Sequence, residues 1–381
     1  MTYVPSARYS FLFAAGCSRF RSKWQADYLQ PTSDGSSLLL PLAKSFSFCF
    51  QPLFNSILPR ENSEHWRSVA ASLVEGAYVL EFDRKKKRRP SEARAPAWWE
   101  FFHFKLIHKL IVGDDSSIFG AIYEFRPPTA PPPPKAPRYV IAFRGTIIHS
   151  PTRLQDVKHD LRIICHCLHK TTRSSVAMEA VGSTISAVGH SNVWLAGHSL
   201  WSAFALHVGK NMAKRGILLD SFLFNPPFFS TPVHSFDLDE EVKQGIRIVH
   251  SFVTAGLSRA VDAFVGRPKF QENSFGSISS WFPFLLVNKA DFFCSEYVEY
   301  FEHRKKMEKL GAGRTERIAT QNSLRALIST ALGKDSDPVQ LLPSAVLAIN
   351  QIQSMDPFQA HGIRQWWQPN LQVENRTYRY E

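Results

Sequence analysis

One serine of the chain stands in a context that suits nucleophilic chemistry. Segment 191–201 reads SNVWLAGHSLW, and its apolar first part predicts a short strand that runs directly into Gly197-His198-Ser199-Leu200. Helical periodicity follows over residues 200–215 and stops at a glycine. A sharp strand-to-helix turn exposes the serine hydroxyl and directs the next backbone N–H, that of Leu200, at a developing oxyanion. The segment therefore predicts attack of Ser199 on a carbonyl carbon; a turn that merely connects strand and helix is the alternative.

A second segment, Ala142-Phe143-Arg144-Gly145-Thr146, ends a predicted strand at residues 139–144. Together the two segments resemble the class 3 (fungal-type) lipases of the α/β-hydrolase superfamily, in which a strand ends in F-R-G-[ST]. The chain resembles more closely the plant lipase-like proteins often labelled GDSL esterase/lipase, although it contains no GDSL motif. The resemblance covers roughly residues 64–370. It implies an α/β-hydrolase fold and a second oxyanion donor, Thr146.

The resemblance also indicates which residue orients the base. In α/β-hydrolases the acid and then the histidine follow the serine along the chain. Val287-Asn288-Lys289-Ala290-Asp291 follows an apolar predicted strand and is similar to the family's V-N-x-x-D, so the acid is assigned to Asp291. Asp262 is the competing acid. Asp291 is alternatively the N-cap of the helix predicted over residues 294–310.

The base is sought among 14 histidines. His361 lies in the segment DPFQAHGIRQWW (356–367), past the last predicted helix, and this segment resembles the family's catalytic histidine loop. His361 is therefore the expected general base, and a surface histidine without a role is the alternative. His198, beside the nucleophile, is expected to pack under the turn.

The chain departs from the family's G-x-S-x-G at its last position, where Trp201 replaces glycine. The glycine is small because the turn brings the helix close to neighbouring strands. An indole there is expected either to displace a neighbouring group or to shift the helix, and a displacement of about 1 Å at the Leu200 N–H costs ~10²-fold in rate. Two functions stay open: a working esterase, or a catalytically impaired relative that binds a lipid or a protein. Replacing Trp201 by glycine is then expected to raise activity.

Strands and helices alternate along the part of the chain that carries these residues. Strands are predicted at residues 117–125, 139–144, 192–196 and 221–225, with a further strand at 246–250 or at 284–288, and helices are predicted around 69–80, over 200–215 and over 294–310. Short connections between them predict an α/β protein with a mostly parallel sheet and helices on both faces. The proline-rich segment 126–137 is predicted to be a stiff loop joining two strands; a ligand for a partner domain is the alternative.

The net charge of the chain indicates which kinds of partner it can bind. Lys and Arg total 45 against 33 Asp and Glu, giving a net charge of +12, and this sign favours contact with an anionic membrane surface. The run Arg84–Arg89 is expected to be a solvated loop at the end of a helix; a nuclear signal or an anion patch is the alternative. No module for nucleic-acid binding is present, so nucleic acid is not an expected partner. No apolar run reaches the ~18 residues of a membrane span, and nothing indicates an oligomeric state.

Cysteine usage and the N-terminal composition bear on location. Five cysteines without C-x-x-C spacing favour a reducing compartment, hence the cytoplasm. Residues 1–63 are predicted to be a weakly ordered extension; because they are rich in Ser and Arg, a chloroplast transit segment is the alternative. Residues 64–381 are predicted to form the hydrolase domain. The spacing of Cys165, His166 and Cys167 does not suit a zinc site, and no metal or organic cofactor is expected.

The predicted function is hydrolysis of carboxylic esters, with acyl lipids as substrates. Ser199 attacks the ester carbonyl, His361 carries the proton and Asp291 orients His361. Thr146 and Leu200 stabilise the oxyanion.

Overall fold

Within the residues that the structure describes, eight strands join into a single sheet whose order follows the chain. The computed structural model of the 381-residue chain describes residues 61–113, 116–127, 132–133, 135–145, 171–228, 276–311, 340–352, 356–368 and 371–380. The strands are β1 (Phe104–Val112), β2 (Ser117–Phe125), β3 (Tyr139–Phe143), β4 (Val193–His198), β5 (Asp220–Phe224), β6 (Phe284–Asn288), β7 (Ala345–Asn350) and β8 (Val373–Tyr378).

The central strands run in one direction. β3 to β7 pair in parallel, whereas β1, β2 and β8 pair antiparallel to their neighbours. The carboxyl ends of β3 to β7 therefore share one edge of the sheet, here called the carboxyl edge. The start of β2 lies at this edge too, because Gly120 pairs with Phe143, the last residue of β3. The predicted α/β class with a mostly parallel sheet is confirmed.

Helices lie on both sides of the sheet. They are α1 (Glu61–Lys85), α2 (Ala97–Glu100), α3 (Thr172–Val188), α4 (Leu200–Ala213), α5 (Glu296–Lys309) and α6 (Pro357–His361), with short 3₁₀ turns at Pro90–Glu92, His190–Asn192 and Ile363–Trp367. The predicted apolar stripe of α1 is buried, as Val69, Leu73 and Ala77 show. None of the helices in the described part of the chain is long and apolar enough to cross a bilayer.

The core forms where β4 and α4 meet. All six residues of β4 are buried, which suits a central parallel strand covered on both faces. α4 buries twelve of its fourteen residues, among them Phe204 and Leu206, which are inaccessible to solvent. This burial fixes the start of α4 against the end of β4, so the turn between them has little freedom.

Residue contacts divide the chain into two compact units. The first comprises Met1–Ser68 and Trp366–Leu371, in which the Arg67 Nε donates to the Trp366 carbonyl at 3.3 Å. The second comprises Val69–Gln365 and Gln372–Glu381 and contains the whole sheet. Of the predicted extension 1–63, the structure describes residues 61–63, which begin α1.

Candidate active site

The turn between β4 and α4 holds Ser199 in a strained conformation. Ser199 has φ 56° and ψ −134°, a region that non-glycine residues enter at a cost of about 1–3 kcal/mol. Its backbone N–H donates to the Phe224 carbonyl at 2.9 Å, which ties the turn to the end of β5. The burial of β4 and α4 on either side keeps the strained residue in place. This is the sharp strand-to-helix turn that the sequence predicted.

Gly197 is the residue that permits the turn. A Cβ atom at this position would lie 2.7 Å from the Trp201 carbonyl oxygen and 2.9 Å from the Ser202 Cα. Both are backbone atoms of the first turn of α4, so they cannot move aside without moving the helix. The close approach that makes glycine necessary therefore occurs at Gly197.

The indole of Trp201 leaves the helix toward β2. It stacks on Phe119, with ring centroids 5.0 Å apart and planes at 28°, and the Arg173 guanidinium lies 5.5 Å from the indole centroid. Trp201 is buried, with 5% exposure. The turn forms with the indole in place, and the side chain packs against β2.

Three side chains meet at the carboxyl edge. The Ser199 Oγ lies 2.8 Å from His361 Nε2, and His361 Nδ1 lies 2.9 Å from Asp291 Oδ2. An ionised carboxylate only accepts hydrogen bonds, so Nδ1 carries the ring proton and Nε2 accepts from the serine hydroxyl. Ser199 follows β4, Asp291 lies three residues beyond β6, and His361 ends α6. All three are buried.

Asp291 is held as an anion by several donors. The Asn225 Nδ2 donates to Asp291 Oδ2 at 2.7 Å, the Phe293 N–H donates to Oδ1 at 3.0 Å and the Cys294 thiol donates to Oδ2 at 3.1 Å. Burial raises the pKa of Asp291, but the His361 ring and these hydrogen bonds outweigh burial, so the pKa is lowered overall. Asp291 is therefore a carboxylate that can stabilise a charged imidazole.

Two amide side chains fix the segment that carries His361. The Ala360 carbonyl accepts from Asn225 Nδ2 at 2.9 Å and from Gln365 Nε2 at 2.6 Å. The Gln365 Oε1 in turn accepts from Asn288 and Asn350, which end β6 and β7, at 2.8 Å each. The base is thus anchored to the ends of two strands. Sequence reasoning did not assign Asn225 or Gln365. The signal that could have found Asn225 is a polar residue at the end of an apolar strand.

His198 supports the base through its backbone. Its Nε2 lies 2.7 Å from the His361 carbonyl and must donate, so the neutral ring accepts at Nδ1 from the Tyr78 hydroxyl, also at 2.7 Å. The Tyr78 oxygen also accepts from the Gly145 N–H. Burial, and next the nearby His361, lowers the pKa of His198 to about 3. His198 therefore stays neutral and links the end of β3, α1 and the base.

The neutral state of His198 makes stability depend on pH. Its folded pKa of about 3 lies below the ordinary 6.5, so the unfolded chain binds the extra proton between these values. This contribution is complete above pH 6.5 and falls as the pH drops. We expect the free energy of unfolding to lose about 2 kcal/mol between neutral pH and about pH 5 through His198. Urea unfolding of wild type and His198→Asn at both pH values measures the difference.

The matched control is His190→Asn, since His190 is exposed in the 3₁₀ turn before β4. It should keep the full pH dependence, whereas His198→Asn should lose about 2 kcal/mol less than wild type on acidification. Equal acid sensitivity of His198→Asn and wild type would contradict the assignment of a neutral His198.

Part of the predicted oxyanion site can be located. Leu200 begins α4 and is buried, so its N–H belongs to the free donors of a helix N-terminus. Gly145 approaches the serine closely, because a Cβ atom there would lie 3.0 Å from the Ser199 Cβ. Thr146, the competing acid Asp262 and the cysteine-histidine segment 165–169 lie outside the described residues. Among the residues described, no cluster of His, Cys, Asp or Glu could hold a metal ion.

The fold and this site define an α/β protein with a buried serine–histidine–aspartate arrangement at the carboxyl edge. The chain is 45% identical over 345 residues to a protein of Arabidopsis thaliana named GDSL esterase/lipase, an alignment that covers 87% of this chain and 96% of the relative. The chain therefore belongs to that family of esterase/lipase proteins, which confirms the predicted resemblance to plant GDSL esterase/lipases. No family model and no solved structure matches the chain.

Proposed function

We propose that the protein is a serine hydrolase of carboxylic esters that acts on acyl lipids, with the α/β-hydrolase fold of the class 3 lipases. The observation that carries the proposal is the hydrogen-bonded chain from Ser199 through His361 to Asp291, with N–O distances of 2.8 and 2.9 Å. These residues come from three separate segments of the chain, and their side chains still form hydrogen bonds with one another. The name of the Arabidopsis relative, an esterase/lipase, agrees with this chemistry.

The reaction proceeds in two stages. The Ser199 Oγ attacks the ester carbonyl carbon while His361 Nε2 takes the hydroxyl proton, and the proton then passes to the leaving alcohol. An acyl-serine ester remains. Water, deprotonated by the same nitrogen, attacks the acyl carbon and releases the carboxylic acid together with the regenerated serine hydroxyl. In both stages Asp291 stabilises the imidazolium, and the N–H groups of Thr146 and Leu200 stabilise the oxyanion.

The packing of Trp201 bears on the alternative of a non-catalytic binding protein. That alternative rested on an indole that displaces the first turn of α4. Since the indole lies against Phe119 and Ser199 keeps its hydrogen bond to His361, the geometry favours an enzyme.

Labelling with a fluorophosphonate tests the proposal, because this probe reacts with an activated serine whatever the substrate. We expect wild type to be labelled and Ser199→Ala to lose all labelling. The control is Ser221→Ala, a buried serine of the adjacent strand β5, which should label like wild type. Labelling that persists in Ser199→Ala would contradict the assignment of Ser199 as the nucleophile.

A further inference from the structure

The exposed end of α1 combines positive charge with an aromatic side chain. Phe82 and Lys85 lie at i and i+3 of α1 and so share one helix face, Lys86 directly follows the last helical residue, and all three are exposed. Phe82 exposes 37% of its surface. Lys87 and Arg89 follow and are exposed as well. We call these five residues the α1 basic face.

Two acidic residues of this region, Glu81 and Asp83, are already paired with other cations. Glu81 forms an ion pair with Arg84 at 2.8 Å, and Asp83 forms one with Arg88 at 2.7 Å. Within the described part of the chain, Lys85, Lys86 and Lys87 have no acidic side chain within ion-pair distance. The α1 basic face therefore presents charge that an external anion can neutralise.

A series of contacts links the end of α1, which carries this face, to the candidate nucleophile. Glu81, next to Phe82, accepts from the Ile118 N–H at the start of β2 at 3.0 Å and lies 3.9 Å from the Arg144 guanidinium. The same guanidinium donates to the Gly145 carbonyl at 2.9 Å, and Gly145 abuts Ser199. Two residues, Arg144 and Gly145, thus connect the end of α1 with the reacting serine. Both features belong to the carboxyl edge of the sheet.

A second apolar side chain is exposed near the start of β2. Ile111 of β1 pairs with Ile118 and exposes 43% of its surface. An aromatic and an aliphatic side chain beside lysines match the interface of a bilayer, where apolar groups enter the acyl boundary and ammonium groups contact phosphates. A nucleic acid would neutralise the lysines but leave Phe82 and Ile111 in water, so the pattern favours a lipid surface.

We propose that the α1 basic face docks the protein on bilayers that contain anionic lipids and so brings the carboxyl edge to membrane acyl lipids. The choice of substrate rests on the proposed function, but docking itself requires no hydrolysis. Each lysine near an anionic surface strengthens binding by about fivefold, and Phe82 adds affinity that salt does not screen. The remaining positive charge of the chain, +12 in total, acts in the same direction.

Sedimentation with sucrose-loaded vesicles tests docking. The full chain carrying Ser199→Ala is mixed with phosphatidylcholine vesicles, with or without phosphatidylglycerol, so that no product accumulates. We expect binding to the anionic vesicles, and the triple change Lys85→Gln, Lys86→Gln, Lys87→Gln should lower the partition coefficient by about 100-fold. Phe82→Ala should lower it about 10-fold, and this loss should persist at high salt.

The matched control removes three lysines at the opposite edge. Lys305, Lys306 and Lys309 are exposed on α5, whose Arg304 donates to the Leu342 and Pro343 carbonyls just before β7 begins. Changing these three lysines to glutamine removes the same charge and should lower the partition coefficient by less than about threefold if the α1 basic face is the docking surface.

Two results would overturn the proposal: equal losses of vesicle binding in the two triple variants, or equal binding of the chain to neutral and anionic vesicles. Circular dichroism confirms that each variant is folded. Fluorophosphonate labelling in solution of the chain with Ser199 intact reports the serine separately from docking, so labelling of that chain without vesicle binding by its Ser199→Ala form refutes docking alone. A protein that docks but does not label refutes the proposed hydrolysis.

Discussion

Ser199→Ala and His361→Ala should each lower kcat for ester hydrolysis by about 10⁶-fold, and the double variant should lose no more than either single variant. The reason is that the two side chains act as one unit: without Nε2 the hydroxyl keeps its proton, and without the hydroxyl the base has nothing to activate. Asp291→Asn should lower kcat by about 10⁴-fold. An amide does not fix the proton on Nδ1 as a carboxylate does, so the ring adopts the wrong tautomer. Steady-state kinetics on a short-chain chromogenic ester measures all four proteins.

Ser221→Ala is the control, since this buried serine contacts the Leu219 carbonyl and not the site. Its kcat should stay within about threefold of wild type. Additive losses in the double variant would show that Ser199 and His361 act in separate steps, and the mechanism would then be wrong.

Trp201→Gly should lower the free energy of unfolding by about 4–6 kcal/mol. Removing a buried tryptophan side chain costs about 3–5 kcal/mol, and glycine near the start of a helix adds about 1 kcal/mol. The indole is stacked on Phe119 and packs against Phe204, so its loss leaves a cavity between α4 and β2. Activity should not rise, in contrast to the expectation from the sequence, because the turn is already formed. Urea unfolding followed by circular dichroism gives the stability, and the rate of fluorophosphonate labelling reports the serine.

Trp201→Phe is the matched control, since a phenyl ring keeps the contact with Phe119. It should cost less than about 2 kcal/mol and leave labelling unchanged. A faster labelling rate in Trp201→Gly with unaltered stability would show that the indole strains the turn after all.

The sequence closely predicted the bounds of several strands that are flanked by turn residues, and it missed other strands. β2, β5 and β6 are apolar runs bounded by turn residues, and the structure places each within one residue of its predicted range. β1 was missed because register irregularities after Leu106 and Leu110 interrupt its alternation. β8 was missed because its residues are exposed or half-buried and polar, as suits an edge strand that pairs with β7 alone.

Some residues of the site were predicted from the sequence, and others were not. Local motifs predicted Ser199, His361 and Asp291, which the structure brings within hydrogen-bond distance of one another, because each stands in a recognisable run of neighbouring residues. Tyr78 left none, since it reaches His198 across 120 positions and lies on an otherwise apolar helix stripe. Its role arises from tertiary packing, which residue types at one position do not encode.

The order of the sheet has a consequence for synthesis on the ribosome. From β1 to β8 each strand is hydrogen-bonded to the strand that precedes it in the sequence, so a chain that folds from its N-terminus can add strands one after another. Ser199 then takes its place with β4, Asp291 follows β6, and His361 arrives only after β7. A nascent chain that ends before His361 carries the serine hydroxyl without the imidazole that would activate it. Under the proposed function, the growing polypeptide would therefore gain hydrolytic activity only when its sheet is almost complete, and a chain released early would leave nearby esters intact.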